Sequence, residues 1–161
     1  GKPEYVQIHS VFEQMDVLRA SGSMPMVSHP VLLNGQRYLD GGISDSIPFV
    51  WMASQGCDRL VVILTRDKQY RKRPMPSALI RLYETRYPQV AARLRERHAL
   101  YNRSVEQLER WEAQGKAFVI RPSHPVDVKR IEKNPAKLQA AYELGQQDAR
   151  ANLDRLRDYL R

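Results

Sequence analysis

The chain has 161 residues, of which 42% are hydrophobic, enough to bury a core of ordinary single-domain size. Its single cysteine, Cys57, excludes an internal disulfide framework and favours a reducing, cytoplasmic location. No apolar run approaches the roughly 18 residues that a membrane span needs. The first residues also lack the charged-then-apolar layout of a signal peptide.

The formal net charge of +8 is unevenly divided along the chain. Residues 1–65 carry 4 basic and 6 acidic side chains, whereas residues 66–161 carry 22 basic and 12 acidic ones. We therefore expect two regions, an α/β region at 1–65 and a basic, mainly helical region at 66–161. Such a balance suits an anionic partner, and it equally suits an arginine-rich helical surface that faces water.

Residues 5–21 are predicted to form the first helix. Val11, Met15 and Leu18, with Phe12 beside them, make an apolar stripe at helical spacing, and Ser21-Gly22 ends it. Small residues follow as a turn.

Asn34-Gly35 predicts a tight hairpin, because both central positions of its turn require positive φ. Residues 31–33 and 36–39 are the two short strands. The second strand leads into Asp40, which two glycines follow, and a glycine pair marks a sharp bend or a close approach by another group. A carboxylate at this point suits chemistry, and it equally suits the closing of a turn.

Beyond the glycines, Ser46 is a candidate helix cap and Pro48 suits the first turn of a short helix at 49–53. The aliphatic run at 60–64 predicts a parallel strand buried on both faces. Strand, helix and strand in this order indicate part of a doubly wound α/β sheet.

The second half is predicted to be largely helical. Pro88 suits the first position of a helix that Gly115 ends. A second buried strand is expected near 117–121. Asn134-Pro135 caps a long C-terminal helix whose apolar row contains Gly145, which predicts a bend or a close helix contact there.

Asp40-Gly41-Gly42, with Pro48 a few residues on, resembles the second catalytic block of the patatin-like phospholipases, a family of serine acyl hydrolases. The small-residue segment at 19–25 is similar to the segment that precedes this block in the family. Residues 131–145 resemble the C-terminal end of the family's bacterial members.

This resemblance implies the C-terminal part of a three-layer α/β/α fold and a Ser–Asp dyad. In that dyad Asp40 is the general base for a serine in a Gly-x-Ser-x-Gly elbow. Gly41, Gly42, Ser46 and Pro48 then belong to the active-site loop. The substrates implied are phospholipids or other acyl esters, and no cofactor is implied.

The elbow itself does not occur in these 161 residues, and no glycine-rich oxyanion loop precedes the block. We therefore expect the chain to be the C-terminal portion of a longer enzyme and inactive alone. Asp45 is predicted to face solvent in the loop. The four histidines do not fall at metal-ligand spacing, so no metal site is expected.

A non-catalytic module that binds anionic lipid or nucleic acid through residues 66–103 is the alternative function. The best interaction candidate in the chain is a run of five cations that suits peripheral contact of an enzyme with an anionic membrane, and this run also suits an ordinary solvated loop. They are Arg66, Lys68, Arg71, Lys72 and Arg73. Nucleic acid is less favoured, because no recognition motif accompanies the charge. Homo-oligomerisation would cover apolar surface that a partial core exposes.

Overall fold

The computed structural model of the protein describes residues 1–129 and 131–161. Within that range the order of elements is α1 (Met15–Ser21), β1 (Val31–Leu33), β2 (Gln36–Tyr38), α2 (Phe49–Ser54), β3 (Val61–Ile63), α3 (Ser77–Glu84), α4 (Pro88–Ala113), β4 (Phe118–Ile120) and α5 (Pro135–Leu160). Helices make up roughly half of the chain and the sheets are small, which is compatible with the predicted α/β class. Among the helices described, none combines the length and the apolar character needed to cross a lipid bilayer.

The chain folds into two compact units, each built from two separate segments. The first contains residues 1–47 and 72–104, and the second contains residues 48–71 and 105–161. Helix α4 contributes its residues up to Ser104 to the first unit and the remainder to the second. The division predicted at residue 65 rests on charge and composition rather than on contacts, and it stays a prediction.

The first unit contains the predicted hairpin. β1 and β2 pair antiparallel, with Leu33 opposite Gln36 next to the turn. Asn34 and Gly35 have φ angles of 48° and 77°, so both central residues take the left-handed conformation that the two-residue turn requires. Glycine reaches this region without a steric cost, and asparagine is among the residues that tolerate it best.

Four buried side chains form the core of the first unit: Ile43, Ile80, Ala91 and Leu94. Ile80 comes from α3, and Ala91 and Leu94 lie three residues apart on one face of α4. Ile43 comes from the turn that directly follows Asp40-Gly41-Gly42. Because Ile43 is 6% exposed, the core anchors the C-terminal end of that turn.

The predicted helix at 5–21 is wrong over most of its length, since α1 begins only at Met15. Val11 and Phe12, two members of the predicted apolar stripe, are 51% and 90% exposed. An amphipathic segment gains most of its helical stability from packing its apolar face. Within the described structure Val11 and Phe12 do not obtain that packing, so the helix is confined to its last two turns.

In the second unit β3 and β4 pair parallel, with Val62 opposite Val119. The parallel arrangement predicted for residues 60–64 is therefore confirmed, and so is the strand near 117–121. The predicted strand–helix–strand unit is wrong, because β2 and β3 belong to separate two-stranded sheets. Burial of the first strand on both faces is wrong, because Val61 is 39% and Ile63 is 72% exposed. A strand is buried on both faces only where layers cover both sides of its sheet, and this two-stranded sheet leaves Ile63 uncovered.

The long C-terminal helix begins where predicted. The Asn134 side chain accepts a hydrogen bond of 3.0 Å from the backbone N–H of Ala136, and Pro135 occupies the first helical position. None of the helix's described side chains is buried, so the predicted apolar row stays largely exposed. A Cβ added at Gly145 would meet no described atom within 4 Å, so the close helix contact expected there is absent.

Helix α4 starts at Pro88, as predicted. Gly115, just beyond its end, has a φ of 70°, as a glycine that terminates a helix often does. In the second unit Trp111 near the end of α4 packs edge-to-face on Phe49 of α2, with ring centroids 5.0 Å apart.

Candidate active site

Asp40 lies in the first unit, two residues beyond the end of β2, and is half-buried. Its backbone N–H donates a hydrogen bond of 2.9 Å to the carbonyl oxygen of Ser23. Ser23 is 2% exposed, and its hydroxyl donates to the carbonyl of Arg19 at 2.7 Å. The small-residue segment that precedes the hairpin in sequence therefore packs directly against the start of the Asp-Gly-Gly loop.

The carboxylate of Asp40 closes a tight turn. Its Oδ1 accepts a hydrogen bond of 2.7 Å from the backbone N–H of Gly42, and this bond caps the 3-10 turn Gly41–Ile43. Among the described residues Oδ2 of Asp40 receives no hydrogen bond. The hydrogen bond to Oδ1 thus fixes the orientation of the Asp40 side chain.

The space around the two glycines of the loop differs. A Cβ at Gly42 would lie 3.0 Å from Oδ1 of Asp40 and 3.5 Å from Nη2 of Arg97, which is too tight for an ordinary contact with the carboxylate. A Cβ at Gly41 would meet no described atom within 4 Å. The close approach predicted for the glycine pair is therefore found at Gly42 alone.

The carbonyl of Gly42 accepts two hydrogen bonds, one from Ser46 Oγ and one from Arg97 Nε, each 2.7 Å long. The prediction that Ser46 caps a helix is wrong, because α2 has no side-chain cap and the Ser46 hydroxyl turns back into the loop. Gly42 is thus held through its N–H by Asp40 and through its carbonyl by Ser46 and Arg97.

Arg97 is a residue that the sequence analysis missed. It lies on α4, 55 residues from Gly42, in a stretch of arginines that are equivalent as a sequence pattern. No local signal distinguishes it, since its role depends on which face of α4 packs against the loop. Its charge makes the hydrogen bond to Gly42 stronger than a neutral one.

Asp45 does not face solvent freely, contrary to the prediction. It is half-buried, and its Oδ2 accepts a hydrogen bond of 2.5 Å from the Tyr5 hydroxyl. Its Oδ1 accepts one of 3.3 Å from the backbone N–H of Ile47. Tyr5 is a second residue that the sequence analysis did not identify, and it connects the N-terminal segment to the loop across 40 residues.

Tyr5 has a perturbed acidity that can be measured. Burial raises the pKa of Tyr5 to about 12, helped by the hydrogen bond to Asp45 and by the negative charge of that carboxylate. Because the folded protein favours the neutral phenol, this contact contributes its full stability below pH 10, the ordinary pKa of tyrosine. The contribution is lost as the pH rises from about 10 through about 12.

We expect the tyrosinate absorbance of the wild type minus that of Tyr5→Phe to show one phenol that ionises near pH 12. In Asp45→Asn this titration should move towards pH 10, because the hydrogen bond to a charged carboxylate is gone. Tyr142→Phe is the matched control, because Tyr142 is an exposed tyrosine on α5. A Tyr5 that ionises together with the bulk of the tyrosines would contradict the contact.

The remaining predicted site residues are dispersed. Pro48 lies in the second unit, where it precedes α2 and its carbonyl accepts from the N–H of Met52 at 3.0 Å. The boundary between the units falls between Arg71 and Lys72, so the predicted run of five cations is divided between them.

Several of those cations already have partners within their own unit. In the second unit the Arg66 guanidinium lies 5.0 Å from the ring centroid of Tyr70, and Arg71 forms an ion pair of 3.4 Å with Glu109. In the first unit the Lys72 ammonium lies 4.4 Å from the ring centroid of Tyr101. Lys68 and Arg73 are exposed. In residues 1–129 and 131–161, no group of three His, Cys, Asp or Glu side chains is placed to hold a metal ion.

Two family models match different parts of the chain. Residues 3–50 match the patatin-like phospholipase family, and this range includes Asp40, both glycines, Ser46 and Pro48. Residues 87–161 match a domain of unknown function, DUF6363. The resemblance predicted for residues 131–145 falls within that second match, outside the patatin match.

A curated protein of Escherichia coli (strain K12), printed as "Uncharacterized protein YjjU", is 50% identical to the chain over 56 residues. The matched stretch covers 34% of this chain and 16% of the E. coli protein. The chain therefore spans a small part of the length of this relative. The N-terminal region at 3–50 is similar to patatin-like phospholipases, and this matched region includes the loop around Asp40.

Proposed function

We propose that this chain is part of a patatin-like serine acyl hydrolase that cleaves the ester bonds of phospholipids or related acyl lipids, with Asp40 as general base. The observation that carries the proposal is the geometry of Asp40 within the region similar to patatin-like phospholipases. Oδ1 of the carboxylate is held by Gly42, while Oδ2 is left to exchange a proton.

In the proposed reaction Oδ2 of Asp40 removes the proton from the hydroxyl of a serine nucleophile while the serine oxygen attacks the ester carbonyl carbon. The tetrahedral intermediate collapses to an acyl-serine, and the leaving alcohol takes the proton from Asp40. Water then attacks the acyl-serine with Asp40 again as base, which releases the carboxylic acid and restores the serine. Bonds and protons balance with water as the only co-reactant.

The nucleophile of this reaction is proposed to lie outside these 161 residues, in a Gly-x-Ser-x-Gly elbow that precedes them in a longer polypeptide. Support comes from the match at 3–50, which contains the aspartate block, and from the small share of the E. coli relative that the chain covers. The exposed β3 residue Ile63 also suits a sheet that further core elements complete.

The test starts from the complete gene product that contains this chain. We expect a Gly-x-Ser-x-Gly elbow upstream of residue 1, and we expect the complete product to hydrolyse a short-chain chromogenic ester. The isolated 161-residue chain should be inactive at the same concentration. The absence of an elbow from the complete product, or the absence of esterase activity from it, would refute the proposed function.

A further inference from the structure

A groove of about 650 Å³ opens in the first unit. It is lined by residues 26–30, by β2 and the residue after it, and by the end of α3 with the turn that follows. Leu39 lines the groove and also packs against the core, and Asp40 is the next residue. The volume lies in the range of about 300–1,000 Å³ that is usual for small-molecule sites.

The lining combines an apolar surface with cations. Met26, Pro30, Leu39 and Leu82 supply aliphatic surface, and Leu82 is 68% exposed. Exposure of this apolar surface to water is unfavourable, and contact with a hydrocarbon chain would cover it.

Arg37 of β2 and Arg86 of the turn after α3 supply the positive charge. Among the described residues that line the groove there is no carboxylate, and neither arginine forms an ion pair with any described residue. The Arg86 guanidinium lies 5.5 Å from the ring centroid of Tyr87, which orients it beside the groove. Two unpaired guanidinium groups match a phosphate or carboxylate group better than a neutral one.

One wall of the groove is built around a strained residue. Met26 has a φ of 67°, which is uncommon for a residue other than glycine. Its backbone N–H donates a hydrogen bond of 2.5 Å to the hydroxyl of Tyr83, another lining residue. Backbone strain of this kind is concentrated at ligand-binding and active sites, where the surrounding structure maintains it.

We propose that this groove binds a single-chain anionic amphiphile, with its hydrocarbon chain along Met26, Leu39 and Leu82 and its anionic group at Arg37 and Arg86. The inference deepens the proposed acyl hydrolase and rests on it for one step, the identification of the amphiphile as a substrate or product class. Binding itself does not depend on that step. Leu39, which would contact the bound chain, is the residue directly before Asp40 in the sequence.

The test measures binding of the complete gene product that contains this chain to three probes by calorimetry, below the micelle concentration of each. Dodecyl phosphate carries both the chain and the anion, dodecylphosphocholine adds a cation that neutralises it, and inorganic phosphate lacks the chain. None contains an acyl ester, so hydrolysis plays no part. We expect dodecyl phosphate to bind at least about 10-fold more tightly than either of the others.

The double variant Arg37→Gln/Arg86→Gln should weaken the binding of dodecyl phosphate about 10-fold, and Leu82→Ser should weaken it as well. Arg81→Gln is the matched control, because Arg81 is an exposed arginine of α3 that does not line the groove. Circular dichroism of each variant checks that the fold is retained.

Equal binding of the phosphocholine probe, equal binding of inorganic phosphate, or an equal loss in the Arg81 control would each overturn the proposed groove. These results are separate from those for the hydrolase. Probe binding without esterase activity in the complete gene product would refute the proposed function alone, whereas activity without arginine-dependent binding would refute the groove alone.

Discussion

Replacing Asp40 by asparagine in the complete gene product should reduce ester hydrolysis by about 10²- to 10⁴-fold, the usual contribution of a positioned general base. The amide oxygen of asparagine can still accept the hydrogen bond that the Gly42 N–H donates to Oδ1 at 2.7 Å. It cannot take a proton from a serine. The substitution therefore separates the chemistry of Asp40 from its role in closing the turn.

The rate of hydrolysis of a short-chain chromogenic ester measures this effect, and thermal unfolding shows whether the fold is retained. Asp16→Asn is the matched control, because Asp16 belongs to the same unit and forms only an exposed ion pair with Arg19. We expect wild-type activity from this control. If Asp40→Asn also retains wild-type activity, the turn is the whole role of Asp40 and the dyad is wrong.

Replacing Arg97 by glutamine should lower kcat about 10-fold and leave KM nearly unchanged. We expect Arg97 to act as a positioning residue, since it donates a hydrogen bond to Gly42, and Gly42 in turn donates one to the Asp40 carboxylate. A hydrogen bond to a charged donor is worth about 1.5–3 kcal/mol, of which glutamine can recover a part through its neutral N–H groups. Loss of this bond leaves the Gly42 carbonyl with the Ser46 hydroxyl as its hydrogen-bond donor among the described residues, and the weaker restraint on the loop should misdirect the base without removing it.

Arg97→Lys gives the discriminating measurement, because its ammonium group keeps a charged donor that can reach a carbonyl. We expect kcat to recover in part in the lysine variant, whereas a simple loss of packing would not restore it. Arg103→Gln, on the exposed side of the same helix and in the same unit, should leave kcat unchanged. A change in KM alone, or an equal effect at Arg103, would show that Arg97 does not position the loop.

One turn and the starts of the two long helices were predictable from the local sequence. Asn34-Gly35 specifies its turn because both residues tolerate positive φ. Pro88 suits the first turn of α4, because proline has no N–H and the N–H groups of a first turn have no acceptor within the helix. Asn134 marks the start of α5, because its side-chain oxygen accepts a hydrogen bond from one of these N–H groups. Each of these choices involves atoms only a few residues apart, so the local sequence contains the necessary information.

Interactions across long sequence separations were not predictable. Tyr5 meets Asp45 across 40 residues, and Arg97 meets Gly42 across 55. The chain has 26 lysines and arginines, and composition gives no reason to choose one of them. Which guanidinium reaches a carbonyl depends on how a helix face packs, and that is decided by the core around Ile80 and Leu94.

Burial was the property that periodicity predicted least well. Phe12 and Ile63 occupy apolar patterns typical of a helix stripe and of a covered strand, yet both are largely exposed. An apolar pattern indicates which side chains would gain stability from burial, whereas their actual burial depends on whether another element packs over them.

The sequence by itself determined the position of the Asp-Gly-Gly loop, its hairpin and the starts of the two long helices, because backbone preferences act over a few residues. Only the tertiary structure decided that Gly42 is held by Ser46 and Arg97, that Asp45 receives the hydroxyl of Tyr5, and that a cationic groove opens beside Leu39. These features depend on packing between segments that are distant in the sequence. That packing is determined by the free energy of the whole fold and cannot be deduced from one short segment.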